Sequence, residues 1–244
     1  VAARVFELWQ ARSRLQLPLM HSLRWRLFER EFIRAMPWLL LLSVAMAGFL
    51  FASLPRLAGS AYLGLLVSLW GVWVEWAVPG LVGLAIAASV APRLAADLLH
   101  RELGGEFELL AQNGYSPAVY PGLPMLVAMA QLGAACAMLV LLGSLCAGLL
   151  VHGWLGVGDH VQVLHAVLGA VHPLMYAAAA LKAGLMLAFA SLAVIVQRWP
   201  VGVRERRVSV LQGFALQSMA WALMGAPLAA AALMWLEYAL GVFQ

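Results

Sequence analysis

Charged side chains are scarce in this sequence, and their scarcity excludes an ordinary water-soluble domain. Asp, Glu, Lys and Arg make up 11% of the 244 residues, whereas a soluble domain carries about 25%. Apolar and aromatic types (AVILMFWYC) make up 64%, and the mean hydropathy is +0.91. The composition predicts an all-α integral membrane protein with several spans, because lipid replaces water as the solvent for most of its surface.

Cysteine is rare, and the common catalytic signatures are missing. Cys136 and Cys146 lie in one apolar segment; on a helix they are about 15 Å apart along the axis, too far for a disulfide. The sequence holds no Walker A, Gly-x-Ser-x-Gly or His-Glu-x-x-His pattern. We therefore expect no enzyme activity, no nucleotide hydrolysis and no cofactor in this chain.

Lysine is nearly absent too, since 14 of the 15 cationic residues are arginine. The pI near 9.5 would suit a nucleic-acid partner, but most arginines lie between apolar blocks, as topology determinants do. Residues 1–36 hold seven arginines. Arg93 and Arg101 lie at the end of the second apolar block (residues 61–99) and just after it, and four arginines follow the fourth (residues 161–196), whereas only Arg56 separates the first two blocks. Because cytoplasmic loops carry the excess of Lys and Arg, we expect the N-terminus in the cytoplasm, the C-terminus outside and no nucleic-acid partner.

Five apolar blocks carry the expected spans. In block two, Pro79 and Gly80 leave two interpretations open on hydropathy alone, two short spans or one long span with a kinked start. The alternation of arginine-rich loops favours one span, which gives about five transmembrane helices. The blocks cover residues 37–54, 61–99, 121–155, 161–196 and 208–243.

Two polar segments flank these blocks. Residues 1–36 interleave arginines with aromatic and aliphatic residues, which predicts an amphipathic helix in the headgroup layer or, alternatively, a plain juxtamembrane tail. The transmembrane domain is expected over residues 37–244. Residues 97–117 predict a short acidic helix on the cytoplasmic face, which ends at Asn113-Gly114. Such a helix suits docking to a soluble partner, and a solvated helix without a partner is the alternative.

Lys182 and Glu75 are charged residues well inside apolar blocks. Near mid-bilayer each costs about 2.5–3.5 kcal/mol, so such a residue usually lines a polar cavity or meets a partner. A lysine there can bind an anionic headgroup. Snorkelling of the side chain to the interface is the alternative for both.

Four histidines and Asp159 gather around one expected outer loop. Their spacings of 8, 5 and 7 residues differ from the i, i+4 spacing of a helical zinc pair. We therefore expect structural or solvated histidines and no metal site. The histidines are His152, His160, His165 and His172.

A series of short motifs runs through the acidic loop and its flanks. They are Ala96-Asp97-Leu98, Glu106-Phe107-Glu108, Asn113-Gly114-Tyr115-Ser116-Pro117, Tyr120 and Pro124, with Pro79 upstream and Lys182, Gln197 and Gly202-Val203 downstream. In order and spacing the series resembles the MlaE family of ABC-transporter permeases, which move lipids between bacterial membranes. Its patterns there are A-E-L-G-T-M, E-Q-I-D-A-L, M-G-V-D-P and Y-L-x-x-P-R, with R-E-L-G-P before them and K-x-x-x-F-G, Y-Q-G and G-V-G-R after. The resemblance covers roughly residues 25–210.

The resemblance implies a lipid-transport permease in the bacterial inner membrane. Its partners would be a second permease chain, a cytoplasmic ABC ATPase that holds ATP and Mg²⁺, an MCE-domain lipid-binding protein and the lipid itself. The implied lipid pathway comprises Trp73, Glu75, Trp76, Val78, Pro79, Leu81 and Lys182. The implied ATPase-coupling residues are Arg101, Glu102, Glu106, Phe107, Glu108, Leu109 and Gly114.

Several positions depart from the family pattern. Glu75-Trp76 replaces an Arg-Glu pair, Gly105-Glu106 replaces Glu-Gln, and Ser89 and Met125 stand where the family has arginine. A diverged homodimer and a heterodimer with a more typical sister subunit both fit these changes. Outside the family, a non-transporting membrane scaffold that recruits a soluble protein is the main alternative. A secondary transporter is less favoured, because no inverted repeat is evident in the sequence.

Overall fold

The computed structural model describes residues 18–116, 119–155 and 160–197, which are almost entirely helical and include no strand. The all-α class is therefore confirmed for the described residues. In chain order the helices are α1 (Pro18–Ala47), α2 (Leu54–Ala58), α3 (Tyr62–Val72), α4 (Val78–Leu103), α5 (Glu106–Gln112), α6 (Val119–Leu155), α7 (His160–Ala170) and α8 (Pro173–Gln197).

Three continuous helical stretches in this part of the chain are long and apolar enough to cross a membrane, Met20–Leu103, Val119–Leu155 and Pro173–Ile195. They support the predicted membrane-protein class. The first has 84 residues, which would make a straight helix about 126 Å long. Because the apolar core of a bilayer is about 30 Å thick, this stretch is not one straight span.

The 84-residue stretch reverses direction at Gly59. This glycine has a φ of 53°, a left-handed value that residues with a side chain rarely adopt. Across the turn the π-helical segment Gly48–Ser53 packs against α3. The rings of Phe51 and Trp70 meet edge to face, with centroids 6.3 Å apart. The stretch is thus a hairpin of two helical limbs, the first limb (residues 18–58) and the second limb (residues 62–103).

A π-helical turn, Trp73–Ala77, lies just before Pro79 in the second limb. Proline has no N–H to donate to the carbonyl one turn earlier, and a wider turn accommodates the missing hydrogen bond. The helix then continues as α4 to Leu103. Block two therefore lies in one continuous helical limb, and the prediction that it crosses the membrane once stays a prediction.

Block three is one helix, α6, whereas block four comprises two helices. The chain bends at Val171 and His172, between α7 and α8. Pro173 explains the break, because a residue before proline disfavours the helical conformation. The Nδ1 of His172 then accepts the backbone N–H of Leu174 at 3.3 Å, at the start of α8.

Some predictions fall on residues outside the described ranges, namely residues 1–17, Pro117 and block five. The count of five spans therefore stays a prediction. Helix α1 runs without a break through Pro37, so the basic residues 18–36 and the start of block one belong to the same helix.

The described residues form two compact units. Unit 1 contains residues 18–31, 83–116, 119–132 and 184–197, and unit 2 contains residues 32–82, 133–155 and 160–183.

In unit 2 the first limb packs in parallel against α6. The Ser43 hydroxyl donates to the carbonyl oxygens of Leu39 at 2.8 Å and Val140 at 3.4 Å. Eight residues further along both helices, Gly148 lies directly against the Phe51 ring. Contacts that advance equally along two helices require the helices to run in the same direction, and the glycine permits the close approach that is common between membrane helices.

The second limb packs in parallel against α8 within the same unit. The Trp70 indole N–H donates to the hydroxyl of Tyr176 at 3.0 Å. Six residues further along both helices, Lys182 lies over the ring of Trp76. Helix α3 also packs against α7.

Unit 1 shows the same pairings. Met20 of the first limb forms a buried cluster with Val119 and Leu123 of α6. Gly83 of the second limb lies against the side chain of Met186 in α8. These contacts hold together the helices of unit 1, which also contains the loop helix α5.

Candidate functional site

Lys182 is a buried cation in an apolar helix. Its side chain is 8% exposed, and its Nζ lies 5.3 Å from the centroid of the Trp76 ring. A cation over an indole face is attracted by about 0.5–2 kcal/mol, which offsets part of the cost of a lysine inside the membrane. Trp76 is 40% exposed, so this pair lies at the edge of the packed core and not at its centre.

The π-helical turn Trp73–Ala77 places further polar groups on the same limb. Glu75 is half-buried. The indole Nε1 of Trp73 is buried and has no hydrogen-bond acceptor among the described residues. A buried donor without an acceptor costs about 1–3 kcal/mol, and such widened turns are frequent at functional sites.

The other predicted lipid-pathway residues lie close to this turn in sequence. Val78 and Pro79 are buried, whereas Leu81 is 45% exposed. Of the seven predicted residues, the structure brings Lys182 and Trp76 into direct contact from different helices. We call this pair, together with the Trp73–Ala77 turn, the lysine site.

The predicted acidic loop helix is present as α5. Gly104 and Gly105 separate it from α4, with Gly105 at a φ of 74°. The helix ends as the sequence predicts, with Gly114 at a φ of 76°. Asn113 reinforces this end by donating its side-chain amide to the carbonyl of Leu109 at 2.8 Å.

The loop helix exposes apolar and acidic side chains together. Glu106 and Glu108 are exposed, and Glu106 lies 3.5 Å from Arg101. Leu103 is 62% exposed and Leu109 58%. Glu102, Phe107 and Leu110 are half-buried. These leucines give the loop region exposed apolar area beside its acidic side chains.

A cavity of about 220 Å³ lies between the loop helix and the start of α6. The rings of Tyr115 and Tyr120 contact one another near it, with centroids 6.1 Å apart. The cavity is lined by Arg101, Glu106, Phe107, Leu109, Leu110, Asn113, Tyr120 and Pro121. Four of the seven predicted coupling residues, Arg101, Glu106, Phe107 and Leu109, therefore line this cavity. Glu102, Glu108 and Gly114 lie in the same loop region.

Sequence reasoning missed an ionic chain in unit 1. Glu31 is buried, at 1% exposure, and its two carboxylate oxygens lie 2.9 Å from Arg30 Nε and 2.9 Å from Arg93 Nη2. Arg30 also pairs with Asp97 at 2.7 Å. The only sequence signals were an acidic residue within an arginine-rich stretch and the i, i+4 spacing of Arg93 and Asp97.

The histidines do not gather into a metal site within the described ranges, where no group of three ligating side chains occurs. His152 is buried and stacks on Tyr62, with ring centroids 6.2 Å apart. His165 and His172 are exposed. Asp159 lies outside the described residues.

Comparison with known proteins assigns no family, since no family model matches this chain and no curated protein matches it. The resemblance to the MlaE permeases therefore stays a prediction, and function has to be argued from the two sites above.

Proposed function

We propose that this chain is the permease subunit of an ABC-type lipid transporter of the MlaE kind. The observation that carries this proposal is Lys182, which holds a positive charge among apolar helices beside the half-exposed Trp76. An anionic lipid headgroup is the ligand that matches a cation at such a place, because its acyl chains stay in the apolar surroundings. The Nε1–H of Trp73, which has no acceptor among the described residues, offers a second donor on the limb that carries Trp76.

The proposed topology has five crossings, with the two limbs of the hairpin, α6, α8 and block five each crossing once. The N-terminus would be cytoplasmic and the C-terminus periplasmic, in the inner membrane of a bacterium. This arrangement puts the loop between α4 and α6 in the cytoplasm. It agrees with Arg93 and Arg101, which lie in the last three turns of α4, just before that loop.

The loop helix supplies the proposed contact with a cytoplasmic ATPase. Leu109 of this helix and Leu103 at the end of α4 provide exposed apolar contact area, and Glu106 and Glu108 favour a basic groove on the partner. ATP and Mg²⁺ would be bound by that partner. A second permease chain, identical or homologous, and an MCE-domain protein on the outer face would complete the transporter.

The lysine site can be tested by lipid crosslinking. The protein is reconstituted in nanodiscs that contain photoactivatable phosphatidylglycerol, and crosslinked lipid is quantified by mass spectrometry. A hydrogen bond to a charged group is worth about 1.5–3 kcal/mol, so Lys182→Met is expected to lower the yield about tenfold. Lys182→Arg should keep most of the yield, because it retains the charge.

Gln131→Met is the matched control, since it changes an exposed polar residue of the apolar helix α6 to methionine. It is expected to crosslink as wild type does. If Lys182→Met and wild type give equal yields of crosslinked lipid for equal amounts of folded protein, Lys182 is not a lipid contact. The main support for the proposal would then be removed.

The scaffold alternative is favoured by one observation, the exposed apolar and acidic surface of the loop helix. Reversal of charge in Glu106→Lys/Glu108→Lys is expected to abolish lipid-stimulated ATPase activity of the complex without unfolding the chain. Gln112→Lys adds a positive charge to the same exposed helix and serves as the control. The scaffold would be supported if the wild-type chain binds a soluble protein that is not an ATPase and the double variant no longer binds it. Unchanged lipid crosslinking in Lys182→Met would strengthen that conclusion.

A further inference from the structure

From the ionic chain in unit 1 we infer a positioning device, in which Arg93, Glu31, Arg30 and Asp97 transmit movement of the loop helix α5 to α1. We call these four residues the ion clamp. The inference concerns the mechanics of this chain. Its role in transport rests on the proposed function.

The clamp joins two helices at two points. Glu31 forms an ion pair with Arg93 at 2.9 Å, and Arg30 donates to Asp97 at 2.7 Å. Glu31 and Arg30 are neighbours on α1, and Arg93 and Asp97 lie one turn apart on α4. Two attachments along each helix resist both sliding and rotation, whereas a single ion pair acts as a pivot.

Packing alone does not account for Glu31. Its side chain is 0% exposed, and removal of a carboxylate from water is strongly unfavourable unless its partners compensate. Replacement of a buried ion pair by apolar residues of similar volume is often neutral or stabilising. A buried carboxylate held by two arginines therefore specifies a relative position of two helices better than it raises stability.

The loop helix is attached directly to this clamp. Asp97 lies six residues, about 9 Å, before the end of α4 at Leu103, and α4 has no break between them. The Gly104–Gly105 turn that follows is closed by hydrogen bonds from Gly104 N–H to His100 O at 2.9 Å and from Gly105 N–H to Glu102 O at 3.0 Å. A displacement of α5 therefore reaches the end of α4 through a tight two-residue connection.

The two ion pairs that join α1 and α4, Arg30–Asp97 and Glu31–Arg93, differ in exposure. Arg30 and Asp97 are 38% and 39% exposed, so water can replace this pair during a movement. Glu31 is fully buried, so water does not reach it to replace its ion pair with Arg93. Asp97 is thus the adjustable contact and Glu31 the fixed one, and Asp97 is the better residue to change because its variants should fold.

The test perturbs α5 and measures α1. Gly105→Ala introduces strain at a φ of 74° without a steric contact, and opening of α5 should rise by about fivefold or more. Hydrogen exchange is measured for the full chain in nanodiscs. In the wild-type background, exchange of residues 20–31 should also rise at least about twofold. In the Asp97→Asn background, Gly105→Ala should still open α5 but add nothing to exchange of residues 20–31.

Two further backgrounds separate positioning from simple stabilisation. Asp97→Glu keeps the carboxylate and should restore the response of residues 20–31. Glu29→Gln removes an exposed carboxylate that makes no ion pair within the described ranges, so it should respond as wild type does. Gly114→Ala, at a φ of 76°, is run in parallel so that the perturbation of the loop does not depend on one substitution.

If Gly105→Ala raises hydrogen exchange of residues 20–31 equally with and without Asp97→Asn, the clamp is overturned, because a merely structural ion pair gives additive effects. No increment in wild type, while α5 itself opens, would overturn it as well. These measurements use this chain alone. Failure of an ATPase to bind would therefore contradict the proposed function without contradicting the clamp. Where a complex forms, Asp97→Asn should lower the ratio of lipid-stimulated to basal ATPase activity, and an unchanged ratio would remove the clamp from transport.

Discussion

Gly148→Ala adds a methyl group where α6 touches the Phe51 ring. The new Cβ would overlap Cδ2 and Cε2 of that ring and lie 2.9 Å from its Cγ. Phe51 is 0% exposed, and it packs edge to face on Trp70, which is also 0% exposed. Because neither ring can turn towards lipid without opening the core of unit 2, we expect strain in this contact.

The magnitude follows from a comparison with a second glycine. An extra methyl in a filled core costs about 1–3 kcal/mol, whereas Gly→Ala within a helix gains up to about 1 kcal/mol from helix propensity. Gly71→Ala in α3 is the matched control, since no atom lies within 4 Å of its Cβ position. Helix propensity contributes equally to both variants and cancels in the difference between their free energies of unfolding. Gly148→Ala should therefore be less stable than Gly71→Ala by about 1–3 kcal/mol. That corresponds to about 2–4 °C in Tm per kcal/mol.

The assay is thermal unfolding in one detergent, followed by tryptophan fluorescence. Phe51→Leu and the double variant Gly148→Ala/Phe51→Leu complete a double-mutant cycle, which isolates the contact between the two residues. The smaller leucine should absorb the added methyl, so the double variant should lose less than the sum of the single losses. Equal Tm values for Gly148→Ala and Gly71→Ala, or additive losses in the cycle, would refute the reasoning.

Three further variants probe other contacts. Tyr176→Phe removes the acceptor of the buried Trp70 N–H, so we expect a loss of about 1–3 kcal/mol and a shifted tryptophan emission; an unchanged spectrum and Tm would contradict the hydrogen bond. Gly59→Ala places a side chain at a φ of 53°, and thermal unfolding should show a loss of about 1–2 kcal/mol, whereas an unchanged Tm would argue against the strained turn. Gly143→Ala brings a Cβ to 2.9 Å from Ser43 Oγ and should lower Tm; Ser43→Ala should restore part of that loss in the double variant, and equal Tm values for single and double variants would speak against the contact.

Features encoded by nearby residues were predictable from sequence. The stop of the loop helix depends on Asn113 and Gly114 alone, because a left-handed glycine ends a helix locally. The single limb of block two followed from arginine counting, a rule that concerns loops and not contacts. The split of block four at Pro173 was equally local, and the proline was the signal that hydropathy averaging concealed.

Contacts between distant residues were not predictable in the same way. Arg30 and Asp97 are 67 positions apart, and no periodicity links them. Lys182 was recognisable as a charge out of place, but its contact with Trp76 depends on the register in which α8 packs against the second limb. Register between membrane helices is set by the fit of small and large side chains, which hydropathy does not report.

The pairing of the helices bears on the proposed function and on its alternative, a secondary transporter. The first limb contacts α6 between residues 97 positions apart, and the second limb contacts α8 between residues 106 positions apart, both in parallel. In the described residues, each limb of the hairpin therefore has a parallel counterpart about 100 residues later. Inverted repeats, which many secondary transporters contain, relate their equivalent helices in opposite directions. The same-direction contacts in the described residues agree with the proposed five-crossing topology, in which helices two crossings apart run in the same direction, and they lend no support to such an inverted repeat.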